Sequence, residues 1–110
     1  MAYDDELADR VRETVGREKG VTEKKMFGGL AFLINGNMAV AASSKGGLML
    51  RVDPTETETL LRDGRAEPFE MHGRSMNGWL RIKADDQTPD DELADWVRRG
   101  VRYAKSLPPK

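Results

Sequence analysis

The sequence contains no cysteine and a single histidine, His72. The lack of cysteine excludes disulfide bonds, thiol catalysis and thiolate metal sites, and a lone histidine excludes any site that needs two imidazoles. Apolar runs are short too: the longest, at residues 30–34 and 38–42, have five residues each, whereas a membrane-spanning helix needs ~20. The N-terminus is acidic and unlike a signal peptide, so we expect a cytoplasmic protein.

An excess of charge of one sign is also missing. The chain has 18 basic and 19 acidic residues and a net charge of −1 at pH 7. It therefore lacks the large single-sign charge of disordered segments and of general nucleic-acid binders. The charge is unevenly spread, because residues 96–110 hold five cations and no anion, and residues 4–9 hold four acids and no base. We expect these two ends to pair, within one chain or between two copies.

The 110 residues fit one domain, with a core at about residues 4–106, and three segments have the apolar spacing that predicts a helix. The first covers residues 4–19. The second begins at Asp53, which suits a cap, and ends before Gly64. The third begins at Thr88 and ends near Ser106.

Three consecutive apolar runs predict an antiparallel meander of strands. The Asn35-Gly36 dipeptide between the first two runs is the strongest short-range hairpin signal, because both residues tolerate a positive φ. The polar segment at residues 21–25 is expected to be a connection that leads into the meander. The three runs are residues 30–34, 38–42 and 48–52.

Two further strands are expected behind the second helix. One lies at residues 69–71 after Pro68, which would place it at an edge or start it there. The other is the alternating run at residues 79–83, and residues 72–78 are expected to connect the two. The resulting order, α-β(3)-α-β(2)-α, predicts an α+β domain with two layers and an antiparallel sheet.

Motifs that carry chemistry are weak throughout the chain. Residues 26–29, Met-Phe-Gly-Gly, lack the spacing of a phosphate-binding loop, and the segment that follows is a strand rather than a helix. Residues 73–77, Gly-Arg-Ser-Met-Asn, miss the nucleophile-elbow pattern by one position, and His72 is the only histidine available as a base. The acidic pairs lack the alternate spacing of a calcium-binding loop. We therefore expect no enzymatic activity, no cofactor and no metal site.

One face of the predicted sheet combines an aromatic residue, a methionine and three cations. Strand alternation places these residues together if their neighbours in sequence point towards the helices. Such a face suits a protein partner, a second copy of the chain or a single-stranded nucleic acid, and the structural alternative is a solvated face with one tucked tryptophan. The residues of this candidate interaction face are Met49, Arg51, Trp79, Arg81 and Lys83.

The last predicted helix carries a candidate basic patch. Part of its charge complements the negative end of the helix dipole, and the rest is suited to contacts with phosphates. Together with the cations of the sheet face, the patch supports an alternative function in direct nucleic-acid binding. The residues of the patch are Arg98, Arg99, Arg102 and Lys105.

Three short motifs resemble one known family. They are Lys-Met-Phe-Gly-Gly at residues 25–29, Asn-Gly-Asn-Met at residues 35–38 and Leu-Met-Leu-Arg-Val-Asp at residues 48–53. On these motifs the chain resembles, over roughly residues 5–105, the N-terminal domain of the TfoX/Sxy competence-regulator family as a stand-alone copy. Residues 69–79 resemble the version found in short, single-domain members. The resemblance implies a fold similar to the two-layer domains of secretion chaperones, with the same element order and no established catalytic residues.

The same resemblance implies a regulatory role. Full-length members of the family regulate DNA-uptake genes in bacteria and carry a second, helical domain after this one. We therefore expect a non-enzymatic protein-interaction module in a bacterial cytoplasm, with an unidentified protein partner, a homodimer as one form, and no membrane contact. Direct nucleic-acid binding through the basic helix and the sheet face is the alternative.

Overall fold

The computed structural model describes residues 5–26, 29–43, 47–62, 64, 66–71, 73–84 and 87–109. Within these residues the chain forms three α-helices, one 3-10 turn and a single sheet of six antiparallel strands. The predicted α+β class and antiparallel sheet are thus confirmed. The elements are α1 (Asp5–Val15), β1 (Val21–Met26), β2 (Gly29–Ile34), β3 (Asn37–Ala42), β4 (Leu48–Arg51), the 3-10 turn (Pro54–Glu56), α2 (Thr57–Leu61), β5 (Ala66–Met71), β6 (Arg74–Ile82) and α3 (Asp90–Ser106).

The strand order across the sheet is β1-β2-β3-β4-β6-β5. The predicted hairpin between β2 and β3 is confirmed, because Asn35 and Gly36 both have a positive φ, of 52° and 86°. Two consecutive residues with a positive φ make the turn that matches the twist of a two-stranded ribbon, and Ile34 then pairs with Asn37. The meander therefore follows from a signal that is local in the sequence.

The main difference from the prediction is β1. The sequence predicts a connection at residues 21–25, but this segment pairs with β2 in one unbroken register from Val21–Ile34 to Met26–Gly29. The side chains of residues 22–25 stay exposed, since β1 lies at the edge of the sheet. Polar side chains carry no burial penalty there, so this strand lacks the apolar alternation by which strands are recognised.

The hairpin formed by β5 and β6 is also longer than predicted. Residues 74–78, expected in a connection, belong to β6, which pairs with β4 on one side and β5 on the other. β5 is the opposite edge of the sheet, in agreement with the position expected for a strand that contains Pro68. The register between β5 and β6 shifts between Pro68 and Glu70. Proline has no backbone amide to donate to a neighbouring strand, so it destabilises a sheet least when it lies on an edge strand.

The main core lies between the helices and one face of the sheet. Leu7, Val11 and Val15 of α1 and the apolar stripe of α3 pack on Phe32, Leu50 and other strand residues, while α2 adds two leucines from the side. A Cβ on Gly100 of α3 would lie 2.5 Å from the carbonyl oxygen of Ala39 and 2.6 Å from Cδ1 of Leu50. α3 can therefore pack this closely against the sheet only with glycine at position 100. The fully buried side chains on the strand side are Phe32, Ile34, Leu48, Leu50, Leu80, Ile82, Val40 and Val52.

Ion pairs join the two ends of the chain on the same side of the sheet. Arg10 of α1 lies 2.8 Å from Asp90 at the start of α3 and also donates to the carbonyl of Thr88. Lys105 near the end of α3 lies 2.7 Å from Glu18. Neither pair joins an acid of residues 4–9 to a cation of residues 96–110, because Arg10 is the cation of the first pair and Glu18 lies outside the acidic stretch. The pairing expected between those two stretches therefore stays a prediction.

α1 ends earlier than predicted. Its last residue is Val15, four residues before the expected end, and the amide of Gly16 closes the final turn by donating to the carbonyl of Arg12 at 2.8 Å. Beyond it, the carbonyl of Gly20 accepts from the amide of Asn35 at 3.0 Å, which aligns the chain with β2 before β1 begins. The four residues predicted as helix thus form the turn that makes an additional edge strand possible.

No helix in the described ranges is both long enough and apolar enough to cross a membrane. Several motifs considered for chemistry lie partly outside those ranges, namely Asp4, residues 27–28, His72 and residues 85–86. The acidic pair at residues 90–91 lies in the first turn of α3, where acids complement the helix dipole. Among the described side chains, no group of three or more histidines and acids is arranged to hold a metal ion.

Candidate functional site

The sheet face opposite the helices carries a second apolar cluster. Within the described residues every member of this cluster is on a strand, so no apolar side chain of a described helix belongs to it. Four side chains are buried, and three others lie partly exposed around them. We call this surface the strand face. Its buried residues are Ala31, Met38, Ala41 and Met49, and its partly buried residues are Leu33, Phe69 and Trp79.

The candidate interaction face predicted from the sequence belongs to this surface. In the register between β4 and β6, Met49 lies opposite Arg81 and Arg51 lies opposite Trp79. Met49 is only 7% exposed, so it fills the cluster rather than offering a contact. Trp79 is half-buried and is the largest side chain of the cluster that remains accessible.

Arg51 is held against aromatic rings. Its guanidinium carbon lies 5.3 Å from the centre of the Trp79 ring and 5.7 Å from the centre of the Tyr103 ring. Both distances lie within the range in which a cation is attracted to the face of a ring. Tyr103 belongs to α3, and the sequence does not predict it as a residue of this face. Only the packing of α3 on the sheet brings it here, and no local pattern signals that contact.

The rim of the strand face carries charges of both signs. Glu67 of β5 lies opposite Arg81 in the sheet register, and its carboxylate lies 3.9 Å from Nζ of Lys83. Lys83 remains 63% exposed on its side chain, so this contact is a loose surface ion pair. Of the three predicted cations, Arg51 contacts Trp79, whereas Arg81 and Lys83 lie further along the chain beside Glu67.

The candidate basic patch is divided by the structure. Arg98, Arg102 and Lys105 are exposed along one side of α3. Arg99 is half-buried on another side, where its guanidinium carbon lies 5.7 Å from the centre of the Trp96 ring and its buried Nε has no hydrogen-bond partner among the described residues. The four arginine and lysine residues of the candidate basic patch therefore do not form one continuous surface.

Acidic side chains accompany this patch. Arg98 lies 4.0 Å from Asp95, and Lys105 is bound to Glu18. Arg99 faces an open cleft of about 450 Å³ between α2 and the first turns of α3. Carboxylates on three residues of its wall lower the positive potential on this side of the patch. The cleft is lined by Leu60, Pro89, Asp91, Glu92, Asp95, Trp96 and Arg99.

The edge strand β1 carries a third group of charges, in a segment that the sequence predicts to be a connection. Arg12 of α1 donates to both carboxylate oxygens of Glu23, at 2.6 and 2.9 Å. These bonds hold the pKa of Glu23 below its ordinary value, against the smaller opposing effect of burial. The next two residues, Lys24 and Lys25, are exposed.

Comparison with known proteins is consistent with this architecture. The family model described as the TfoX N-terminal domain matches residues 13–104, which extend from the last turn of α1 to near the end of α3. No curated protein and no solved structure matches the chain. The matched region contains the whole sheet and both the strand face and the edge of β1. The chain belongs to the family of TfoX N-terminal domains.

Proposed function

We propose that this domain is a non-enzymatic regulatory module that acts in the bacterial cytoplasm by binding protein through its strand face. One observation carries the proposal: a half-buried tryptophan, Trp79, lies at an apolar cluster on a sheet face, and every described member of this cluster is a strand residue. Protein interfaces are commonly built in this way, with an aromatic anchor at the centre and polar groups around it.

The occupant that fits this surface best is a second copy of the chain. A two-fold interface places the same patch of each copy against the other, so it requires a surface that complements itself. The rim meets this requirement because Arg81 and Lys83 lie beside Glu67, and each copy then presents both signs of charge. Family membership supports a setting in competence-type gene regulation, where self-association is the property by which the module would act.

Light scattering over a concentration series of the full chain tests this function. We expect the wild-type mass to rise from monomer to dimer, and Trp79→Ala to weaken the association by at least about tenfold, as truncation of a central aromatic anchor does. Leu60→Ala is the matched control, because Leu60 is a partly buried apolar residue on the helix side. It should leave the association unchanged. A wild-type monomer at every concentration, or equal effects of the two variants, would contradict the proposal.

Direct nucleic-acid binding makes a different prediction. It requires Arg98, Arg99 and Arg102 to act with the cations of the strand face, and it predicts an affinity that falls steeply with salt. The acids beside α3 and the net charge of −1 disfavour it. Titration of a fluorescent single-stranded oligonucleotide at low salt distinguishes the two functions: binding that Arg98→Ala and Arg81→Ala both weaken would favour nucleic acid over self-association.

A further inference from the structure

Within the described residues, β1 is an edge strand whose outer side pairs with no other strand. It is the first strand in the order β1-β2-β3-β4-β6-β5, and it pairs with β2 without any shift in register over its whole length. Residues 22–25 are all exposed, and the strand contains neither proline nor glycine. A regular edge of this kind is a template on which an extended segment of another chain can add a strand.

The hydrogen-bond pattern shows which backbone groups of β1 face outwards. The amide of Asn35 donates to the carbonyl of Gly20 at 3.0 Å, so these two residues form a hydrogen-bonded pair. In an antiparallel ladder such pairs alternate, which makes Thr22–Leu33 and Lys24–Ala31 the next ones. The amide and carbonyl groups of the intervening residues therefore point away from β2. The outward residues are Val21, Glu23 and Lys25.

The charges on this edge that have no described ion-pair partner are positive. Glu23 is bound by Arg12 through both carboxylate oxygens, and Arg12 also pairs with Asp9 of α1, so it offsets only part of the negative charge there. Lys24 and Lys25 are exposed, and within the described part of the chain neither has an ion pair. The two side chains lie on opposite faces of the strand, so both faces of an added strand would meet a positive charge.

We propose that the outer edge of β1 binds an extended, acidic segment of a partner protein by strand addition. The outward amides and carbonyls of Glu23 and Lys25 hold the partner backbone, and the ammonium groups of Lys24 and Lys25 select acidic side chains. Cross-strand pairs of opposite charge stabilise such a ladder, whereas like charges destabilise it. The edge of β1 adjoins the strand face, because Lys24 lies opposite Ala31 in the register. Three strands separate β1 from Trp79 on β6, and the outward amides and carbonyls of β1 lie in the plane of the sheet, so the inference does not depend on self-association through Trp79.

Two comparisons favour an acidic partner over other occupants. A second copy of β1 would bring two more lysines against the first pair, and edge lysines are a common device against self-pairing. The opposite edge of the sheet, β5, is unsuited to the same role, since it contains Pro68 and an irregular register and carries exposed Glu67 and Glu70. Strand addition is thus expected at one edge only.

The probe is a fluorescent eight-residue peptide that alternates glutamate and valine, added to the full-length protein. Two matched peptides serve as controls: one replaces every glutamate by lysine, and one replaces every valine by proline, which keeps the charge but removes half of the amide donors and disfavours the strand. We expect only the glutamate–valine peptide to bind in fluorescence anisotropy. Amide hydrogen exchange should then slow by about tenfold or more at Glu23 and Lys25, whose amides face outwards.

Variants of β1 distinguish the contribution of the backbone hydrogen bonds to peptide binding from that of the lysine charges. Lys25→Pro removes an outward amide and should abolish binding, while the charge-matched control Lys25→Gln should weaken it only severalfold. Reversing both charges with Lys24→Glu and Lys25→Glu should transfer the preference to the lysine–valine peptide. The Lys25→Pro protein should keep its circular dichroism spectrum and unfolding midpoint close to those of wild type, because its ladder to β2 is retained.

Three results would overturn the inference. The first is equal binding of the glutamate–proline peptide, which would show attraction by charge without a strand. The second is an unchanged exchange rate at Glu23 and Lys25 with bound peptide. The third is protection of these two amides in the free protein at rising concentration, which would assign the edge to a second copy. Trp79→Ala tests the strand face alone and should leave binding of this peptide intact, so the two proposals fail independently.

Discussion

The guanidinium carbon of Arg51 lies 5.3 Å from the centre of the Trp79 ring, on the neighbouring strand of the sheet. The same carbon lies 5.7 Å from the ring centre of Tyr103 in α3. A side chain that the sequence predicts on the solvent side of the sheet is thus engaged with two rings. This contact orients Trp79, the residue on which the proposed protein interface depends.

A double-mutant cycle measures the contact between Arg51 and Trp79. We expect Arg51→Met, which keeps most of the side-chain volume, and Trp79→Leu to show a coupling free energy of about 0.5–1 kcal/mol in urea unfolding, as for half-buried cation–π pairs. Arg98→Met combined with Trp79→Leu is the control, since Arg98 is an exposed arginine of α3 whose ion-pair partner is Asp95. Strictly additive effects for the first pair would contradict an energetic role for the contact.

Gly100 sets the distance between α3 and the sheet. An alanine Cβ would meet the Ala39 carbonyl at 2.5 Å, and the backbone of β3 cannot move away as a flexible side chain could. Gly100→Ala should therefore lower the free energy of unfolding by about 1–3 kcal/mol, although alanine is the better helix former. Gly64→Ala is the matched control, because a methyl group at that position would meet no neighbouring atom within 4 Å. The urea unfolding midpoints of both variants measure this effect. A Gly100→Ala protein more stable than wild type would contradict the predicted clash.

The parts of the fold that follow from the sequence depend on local patterns. Asn35-Gly36 specifies its hairpin by backbone preference alone, and the alternation of Leu48, Leu50 and Val52 places these three residues in the main core. The sequence pattern does not predict β1 as a strand, because an edge strand needs no apolar face. Its charged residues are instead typical of a loop. It forms a strand because the backbone amides and carbonyls of β2 on the side away from β3 need hydrogen-bond partners, which β1 provides.

The same distinction applies to the candidate site. Alternation correctly groups Met49, Arg51, Trp79 and Arg81 on one side of the sheet. It cannot predict that Met49 is buried, because its cover comes from neighbouring strands, nor that Tyr103 reaches Arg51 from a helix. Arg99 is separated from the basic patch for a comparable reason: Trp96 and α2 provide a half-buried position that helical spacing alone does not show.

Thr57 connects α2 to β6 through a buried hydrogen bond. Its Oγ1 accepts from the amide of Gly78 at 3.0 Å, and Thr57 is 8% exposed. Thr57→Val keeps the shape but leaves the amide without its acceptor, so we expect a loss of about 1–3 kcal/mol in unfolding free energy. Thr57→Ser restores the hydroxyl and should lose less. Amide exchange at Gly78 provides a local readout: it should accelerate in the valine variant, and an unchanged rate would show that the bond is dispensable.

The bond between Arg12 and Glu23 gives the protein a pH-dependent contribution to stability. Because this bond lowers the pKa of Glu23 in the folded state, the contribution is present at neutral pH, above the ordinary carboxyl pKa of 4.5. It is lost as the pH falls through the lower, folded pKa, where Glu23 takes up a proton. Glu23→Gln should therefore be less stable than wild type at pH 7, and the difference should vanish in acid.

Urea unfolding of both proteins between pH 7 and pH 3 measures this effect. Both side chains of the pair are more than one-third exposed, so salt should reduce the difference at pH 7. In an Arg12→Gln background, Glu23→Gln should have no pH-dependent effect, because the partner that lowers the pKa is gone. A wild-type advantage that grows on acidification, or one that persists without Arg12, would assign the stabilisation to a different contact of Glu23.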